Sequence, residues 1–471
     1  MPEPVSITAS LISAAVKAVA EQAGSAAGRS FADQLAKQLG RRAIGGAELE
    51  SALHRKLEEE PALSSQLREW LLRIGAIDPV TASEFAASRA WLTASAGDLI
   101  EVALDTHAEF RESEDVPLLT RPGWIPASPM PLHPERVRLR RVMPNANDDL
   151  EPARRRLREL GYWPTIAGKS IRTYHEAISL LEDRSWYNGS SYRLMGVLPD
   201  ADTIRLIFND KPYGYFDMID TGEPLAFETA WQVRSGLPAV GPYRSWLADP
   251  FDLAIRCAIP GTNVLTVRRS ARSTLFYLHE REPKKVGLSA GTVHVVPAGE
   301  FQPVGDRQRA LEDDFDLLHI ITREYAEEFC GVAEARDREA PPIDYQNDPR
   351  YAPIYRALRS SGVLVRYLGI GLYPLTWKPE VLIVCIFDDK TFDRLFRNLE
   401  ALDNAEGPLH LPPPPAIPRS RLKNLRKDRS YGGWDFTEEN VRHWRDNSQT
   451  LPAGRACLGL AWRHRSELGL G

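Results

Sequence analysis

The sequence has few cysteines, and the four that it has are far apart in its 471 residues. They form no Cys-x-x-Cys pair and show none of the cysteine and histidine spacings of zinc sites, which excludes the common zinc motifs. We expect all four to be buried thiols of a protein in a reducing cytoplasm. They are Cys257, Cys330, Cys385 and Cys457.

Long apolar runs are missing too. The longest early stretch, residues 7–20, is broken by Lys17 and is shorter than the roughly 20 residues that a membrane helix needs. No basic region precedes it, so we expect neither a signal peptide nor membrane association. The sequence also lacks a Walker A loop, a Gly-x-Gly-x-x-Gly element and a His-Glu-x-x-His pair. Their absence excludes familiar nucleotide-binding and zinc-protease motifs.

A strong charge of one sign is absent as well. The formal net charge is −5 and the pI is near 6.1, so the overall balance gives no reason to expect nucleic acid as a partner. Two local basic runs lie at residues 136–141 and 154–156. The second run has acidic neighbours and is expected to be a solvated helix face.

Length and composition indicate two or three domains of a soluble globular protein, because 471 residues exceed one ordinary core. Residues 1–115 have apolar residues at helical spacing and predict a helical bundle. Partner contact or self-association is expected through residues 1–110. Residues 116–190 are interpreted as a Pro-rich linker with accessory helices. Residues 191–471 are expected to form a further domain with a C-terminal extension.

Strand patterns begin near residue 191. Alternating apolar residues predict a strand over 203–208, and a second segment over 213–219 predicts its hairpin partner. A further strand is expected over 292–296, and it carries His294. The Pro-rich run at 411–418 favours a polyproline II spacer packed on the domain.

The most informative stretch runs from Arg323 to Glu328 and reads Arg-Glu-Tyr-Ala-Glu-Glu. Its glutamates, Glu324, Glu327 and Glu328, stand at i, i+3 and i+4, so a helix places all three on one face. Carboxylates held together repel each other, and a divalent cation removes that cost. Oxygen ligands of this kind suit Mg²⁺ or Mn²⁺. An ordinary solvated helix face is the alternative.

This stretch resembles the second half of the Nudix motif, G-x5-E-x7-R-E-U-x-E-E-x-G-U, in which U is a bulky apolar residue. Tyr325 stands at the bulky position. The first half differs from the family pattern: Gly299 matches the entry glycine, but Gly305 stands where the family has glutamate. The spacing to Arg323 is about twice that of the family, and Gly331 is displaced by one residue.

The resemblance implies a fold class, a set of site residues and a ligand. The expected fold is α+β, with an N-terminal helical bundle followed by a Nudix-like α/β/α sandwich with a mixed sheet. The implied ligand is a nucleotide or nucleoside-diphosphate compound held through Mg²⁺ or Mn²⁺. The implied metal ligands are Glu324, Glu327 and Glu328. The implied catalytic residues are Glu327, Glu328 and Arg323, with Arg323 holding a carboxylate. The implied ligand-binding residues are Gly299, Glu300 and His294.

Three functional interpretations stay open from the sequence. The intact second half of the motif favours metal-dependent hydrolysis of the ligand. The altered first half favours a non-catalytic nucleotide sensor or regulator, whose N-terminal helices mediate assembly. A scaffold without a ligand is the third interpretation. His294 has two interpretations of its own, because it either contacts a phosphate or is a hydrogen-bonded core histidine.

Overall fold

The computed structural model describes residues 7–22, 25–40, 47–60, 63, 66–67, 70–71, 74, 80–144, 148–166, 169–182, 187–280, 292–334, 337–397 and 433–471. The chain forms two compact units, and each is assembled from three separate stretches. The first unit comprises Met1–Thr106, Asn147–Trp186 and Phe216–Arg256; the second comprises His107–Ala146, Tyr187–Tyr215 and Cys257–Gly471.

Helices dominate the described part of the first unit. They are α1 (Ile7–Gln22), α2 (Ala26–Leu39), α3 (Ala47–Glu59), α4 (Ala82–Ala94), α5 (Ala96–Thr106), α6 (Glu151–Glu159), α7 (Tyr174–Leu181), α8 (Tyr215–Thr221), α9 (Glu223–Arg234) and α10 (Pro242–Leu247). Apolar side chains of α1, α2 and α3 share one core. Thr81 and Glu84 form a capping box that fixes the start of α4. A second cluster is aromatic, with Phe85 of α4 against Tyr174 and Phe227.

The strands are β1 (Arg111–Ser113), β2 (Val116–Leu119), β3 (Met130–Pro131), β4 (Val137–Val142), β5 (Thr165–Ile166), β6 (Lys169–Ser170), β7 (Ser190–Ser191), β8 (Leu194–Asp200), β9 (Thr203–Asn209), β10 (Tyr213–Gly214), β11 (Gly261–Arg269), β12 (Thr274–Phe276), β13 (Leu278–Glu280), β14 (Val293–Val295), β15 (Ala298–Glu300), β16 (Val363–Leu372), β17 (Pro379–Asp388) and β18 (Trp434–Asp435). All but β5 and β6 belong to the second unit. Its helices are α11 (Gln308–Asp313), α12 (Leu317–Cys330), α13 (Ala352–Leu358), α14 (Asp389–Leu395), α15 (Glu438–Asp446) and α16 (Pro452–Arg463).

A nine-stranded mixed sheet organises the second unit. Its order is β1-β2-β16-β17-β11-β12-β18, with β15 paired to β11 and β3 paired to β16. β11 and β17 are parallel and place Gly261 opposite Glu380, while β16 and β17 are antiparallel. The central strands are buried along almost their whole length, as continuous apolar runs require when both faces of a sheet are covered.

Alternate residues of β11 face different helices. Leu265 and Val267 lie in one core with Cys457 and Leu460 of α16. The neighbouring Thr266 points to the other face, where its hydroxyl lies 2.7 Å from the Tyr325 hydroxyl of α12. The sheet is therefore covered by α16 on one face and by α12 on the other, and this fixes where the acidic helix lies.

The expected mixture of helices and strands with a mixed sheet is confirmed. One local prediction of a strand is wrong. The segment 213–219, predicted as a strand, is a two-residue strand followed by helix α8, and β9 pairs instead with β8 and β4. Its aromatic residues favoured a strand, but Phe216 stacks on His175 from within a helix.

The segment predicted as a linker also contributes to the sheet. Val116–Leu119 is fully buried as β2 and pairs with β1 and β16. The polyproline run at 411–418 lies outside the described residues. No helix in the described parts of the chain is long and apolar enough to cross a membrane.

Three of the four cysteines are buried as expected, but Cys330 is exposed. It is the last residue of α12, where the chain leaves the helix through Gly331 in the left-handed conformation. The prediction that all four are buried is therefore wrong for this residue.

We expect a maleimide to label Cys330 alone in the native protein. Partial burial of the sulfur raises the pKa of this thiol to about 11, so the thiolate fraction and the labelling rate rise about tenfold per pH unit between pH 7 and pH 9. Peptide mapping after timed labelling measures this. Equally fast labelling of Cys257, Cys385 or Cys457 would contradict the burial of these three thiols.

Candidate functional site

The acidic helix predicted from the sequence is present as α12. Asp316 precedes it, and its carboxylate accepts a hydrogen bond from the Leu318 N–H at 2.7 Å, which satisfies one of the free donors of the first turn. Gly331 ends the helix with φ of 70°. These two caps set the length of the helix, and its tyrosine and phenylalanine residues anchor one side on the sheet.

Arg323 is at the centre of the site and is almost fully buried. Its Nη2 donates to the Gln302 carbonyl at 3.0 Å. Three carboxylates surround the same guanidinium: Glu324 at 3.5 Å, Glu327 at 3.8 Å and Asp314 at 3.8 Å. When these carboxylates are ionised, the group has a net charge of −2.

The carboxylates keep Arg323 charged despite its burial. Burial alone lowers the pKa of a guanidinium, because the charged form loses its hydration. Here Tyr345, Glu324 and Asp314 outweigh that effect, and together with Glu327 they raise the pKa of Arg323. Arg323 has three carboxylates at charge-pair distances rather than one bidentate pair.

Asp314 is a site residue that the sequence did not predict. It is fully buried, and it accepts hydrogen bonds from the Val304 N–H at 2.7 Å and from the Tyr345 hydroxyl at 2.5 Å. Asp306, which stands one place after the altered motif position Gly305, pairs with Arg338 instead. Asp314 therefore provides a carboxylate for Arg323. The motif position at which the Nudix family has a glutamate is Gly305 in this chain. The only signal of Asp314 in the sequence is its place three residues before the first residue of the acidic helix.

Glu324 lies directly against Gly299. A Cβ added to Gly299 would stand 2.3 Å from the carboxyl carbon of Glu324, so a side chain here would occupy the place of the carboxylate. The structure puts Gly299 inside the short strand β15 opposite Thr262. Glycine at this position is needed for close approach of the glutamate to the backbone.

We expect Gly299→Ala to lower the free energy of unfolding by about 1–3 kcal/mol, because the added methyl group overpacks the Glu324 site. Gly196→Ala is the matched control: nothing lies within 4 Å of its added Cβ, so its effect should be about 0.5 kcal/mol or less. Urea denaturation measures both. Equal stability of the two variants would show that Glu324 is not held against Gly299.

Glu328 turns to the interior. Only 4% of its surface is exposed; one carboxylate oxygen accepts the Ala298 N–H at 2.8 Å, and the other lies 3.3 Å from Nδ1 of His279. Glu324 and Glu327 keep 11% and 13% of their side chains exposed. Of the three predicted metal ligands, two thus keep a small exposed part beside Arg323, and Glu328 links α12 to β15.

Glu300 and His294 belong to a separate group of polar residues, in which Glu300 is partly exposed and His294 is buried. Glu300 pairs in register with Gly261. Because successive residues of a strand face opposite sides of the sheet, the side chain of Glu300 lies on the other face from the position of Gly299. The Lys378 ammonium lies 2.8 Å from Glu300 and 3.4 Å from Glu380. Burial alone lowers the pKa of Lys378, but the two carboxylates outweigh it and raise that pKa.

His294 joins the far end of this group. Its Nε2 lies 2.7 Å from the Asn263 side-chain oxygen, and the Asn263 amide donates to Glu380 at 2.8 Å. Only 3% of the His294 surface is exposed. The geometry favours the interpretation of His294 as a hydrogen-bonded core histidine, and Glu300 lies beside a lysine rather than beside the acidic helix.

A strained turn places Lys378. The preceding residue, Trp377, is fully buried and has φ of 56°, a conformation that costs a bulky residue about 1–3 kcal/mol. Two hydrogen bonds close the turn, from the Tyr373 N–H to the Lys378 carbonyl and from the Trp377 N–H to the Tyr373 carbonyl, both 2.8 Å.

The number of partly exposed carboxylates beside Arg323 fits a Mg²⁺ ion. Within the described residues, no group of three or more histidine, cysteine, aspartate or glutamate side chains is arranged to hold a metal ion. Mg²⁺ in proteins is usually bound by only one or two carboxylates, with waters and ligand phosphates completing its shell. Glu324 and Glu327 meet that requirement in number, and each keeps a small part of its side chain exposed.

Comparison with known proteins does not assign this chain to a family. Neither a scan of protein-family models nor a search of curated protein sequences finds a match to this chain. The function is therefore inferred from the residues of the site.

Proposed function

We propose that the protein binds Mg²⁺ or Mn²⁺ together with the diphosphate of a nucleotide-type ligand, beside the exposed edges of Glu324 and Glu327. The second unit would then be a Nudix-like sandwich used for ligand sensing. The N-terminal helices would mediate assembly or partner contact in such a sensor.

The gathering of three carboxylates around one guanidinium carries this proposal. Asp314, Glu324 and Glu327 all lie within 3.8 Å of the buried Arg323. Carboxylates held this close together repel each other, and either protonation or a bound cation lowers that repulsion. Because Glu324 and Glu327 keep 11% and 13% of their side chains exposed, a cation has access to them from solvent.

A diphosphate is proposed as the ligand because two carboxylates leave several coordination positions of the metal ion open. A Mg²⁺ ion with two protein ligands has several positions for waters or phosphate oxygens. Bridging by a diphosphate fills such positions and neutralises both partners. The nucleotide part of the ligand is what the resemblance of residues 323–328 to the Nudix motif implies.

Binding is proposed in preference to hydrolysis because of Glu328. Metal-assisted hydrolysis needs a base and an activated water close to the metal. Glu328 is instead buried and bonded to the Ala298 N–H, with fully buried His279 as its neighbour.

The test is a panel of nucleoside diphosphate compounds, including ADP-ribose, and nucleoside triphosphates, each with and without Mg²⁺ or Mn²⁺. We expect a metal-dependent rise in Tm for the compounds with a diphosphate and no product by mass spectrometry. A ligand at 100 times its Kd should stabilise the fold by about 2.7 kcal/mol. Metal-dependent cleavage that is lost in Glu327→Gln would establish the hydrolase instead. Neither stabilisation nor cleavage by any compound would overturn the proposal.

A further inference from the structure

A small sheet of the second unit has an open edge at β4. The sheet has the order β4-β9-β8, so among the described residues β4 has a strand on one side only. β4 and β9 are parallel, with six residue pairs from Val137 opposite Ile204 to Val142 opposite Asn209.

The backbone of β4 alternates between the two sides. The Ile204 N–H donates to the Arg136 carbonyl and the Asp210 N–H to the Val142 carbonyl, both at 2.8 Å, so the even-numbered residues of β4 bond towards β9. Leu139 and Arg141 direct their N–H and C=O groups the other way. These groups have no hydrogen-bond partner among the described residues.

The side chains on one face of this sheet are basic. Arg136, Arg138 and Arg140 are exposed at alternate positions of β4, about 6.6 Å apart along the strand. Arg205 of β9 is directly opposite Arg138. Like charges at opposite positions destabilise a sheet, so the Arg138 and Arg205 pair carries an electrostatic cost.

Few acids of the protein compensate these arginines. Arg136 lies 3.5 Å from the exposed Asp202. For Arg138, Arg140 and Arg205, no ion pair is formed within the described part of the chain. Arg141 is different, since it packs 4.3 Å over the Phe315 ring on the inner face.

We propose that β4 is a docking edge for an extended acidic segment of a partner protein, which adds to the sheet as a fourth strand. The segment's main chain would bond to the outward N–H and C=O groups of Leu139 and Arg141. Aspartate or glutamate at alternate positions would lie beside Arg138 and Arg140, because strand side chains repeat with the same period on both chains. Charge complementarity sets the partner, and backbone pairing sets its extended form.

A peptide fits this edge better than a nucleic acid. Open backbone groups in strand geometry are satisfied by another strand, whereas single-stranded nucleic acid binds through phosphate contacts and stacking on aromatic rings. On the same face of the sheet, Ile207 lies opposite Arg140 and Leu198 lies opposite Arg205. Both neighbours are aliphatic, and Leu198 is 45% exposed, so this face offers no aromatic ring for stacking at these two positions. Arginines on an edge strand also protect it from pairing with other chains, and this simpler role predicts no peptide binding.

The test uses the full chain and a fluorescein-labelled peptide, Thr-Glu-Val-Glu-Val-Glu-Thr, followed by fluorescence anisotropy. We expect binding that weakens with added salt and at least about tenfold in the Arg138→Glu, Arg140→Glu double variant. Arg155→Glu, at a 65% exposed arginine of α6, is the matched control and should bind as the unaltered chain does. Circular dichroism checks that each variant is folded.

Two further probes separate backbone pairing from simple charge attraction. A peptide with the same side chains but N-methylated on alternate residues cannot donate along one edge, and its affinity should fall about tenfold or more. An oligothymidylate should bind no more tightly than the peptide. Equal affinity of the methylated and plain peptides, tighter binding of the oligonucleotide, or no binding of the peptide would overturn the proposal.

Discussion

Arg323→Met is expected to remove about 3–5 kcal/mol from the free energy of unfolding, because it leaves buried carboxylates without their cation. Arg323 is only 5% exposed and faces Asp314, Glu324 and Glu327, so solvent cannot replace the lost charge. Arg309→Met, at an 81% exposed arginine of the neighbouring helix α11, is the control and should cost about 0.5 kcal/mol or less. Urea denaturation at neutral pH measures both variants.

Mg²⁺ should restore part of the stability that Arg323→Met loses. Without the guanidinium, the three carboxylates have a greater need for a cation, and a bound ion stabilises the folded state by mass action. The unfolding midpoint of the variant should therefore rise more with added Mg²⁺ than that of the unaltered chain. A loss of less than about 1 kcal/mol in Arg323→Met would show that these carboxylates do not depend on the arginine.

Glu327→Gln is expected to weaken Mg²⁺-dependent binding of ADP-ribose by at least about tenfold while the chain stays folded. The substitution removes one of the two carboxylates that reach solvent but keeps the shape of the side chain. Isothermal titration with the metal present gives the change in Kd, and circular dichroism confirms the fold.

Glu328→Gln is the matched control on the same helix. Its carboxylate faces Ala298 and His279 in the interior, so this substitution should leave Mg²⁺-dependent binding within about threefold of the unaltered chain, well under the tenfold change that about 1.4 kcal/mol represents. A larger loss in Glu328→Gln than in Glu327→Gln would place the metal on the interior side of α12 and contradict a site at Glu324 and Glu327.

Much of the local structure around the site was predictable from the sequence. The helical spacing from Leu317 to Glu328, closed by Gly331, predicts α12 because both signals are local. The apolar runs of β11 and β17 predict buried strands for the same reason.

The partners of the site residues were not predictable in this way. Glu380 lies opposite Gly261 only because β11 and β17 pair in one parallel register across 119 residues of chain, and register depends on tertiary packing. Tyr345 reaches Asp314 from a segment without helix or strand. The resemblance directed attention to the glutamates of α12, whereas the structure adds Asp314 as a further carboxylate beside Arg323.

The most direct test of the metal-dependent site is titration of ADP-ribose into the full chain with and without Mg²⁺. The predicted result is binding that requires Mg²⁺, that weakens at least about tenfold in Glu327→Gln and that stays within about threefold in Glu328→Gln. Binding that is the same without Mg²⁺, or unaffected by Glu327→Gln, would contradict a metal-bridged diphosphate at Glu324 and Glu327.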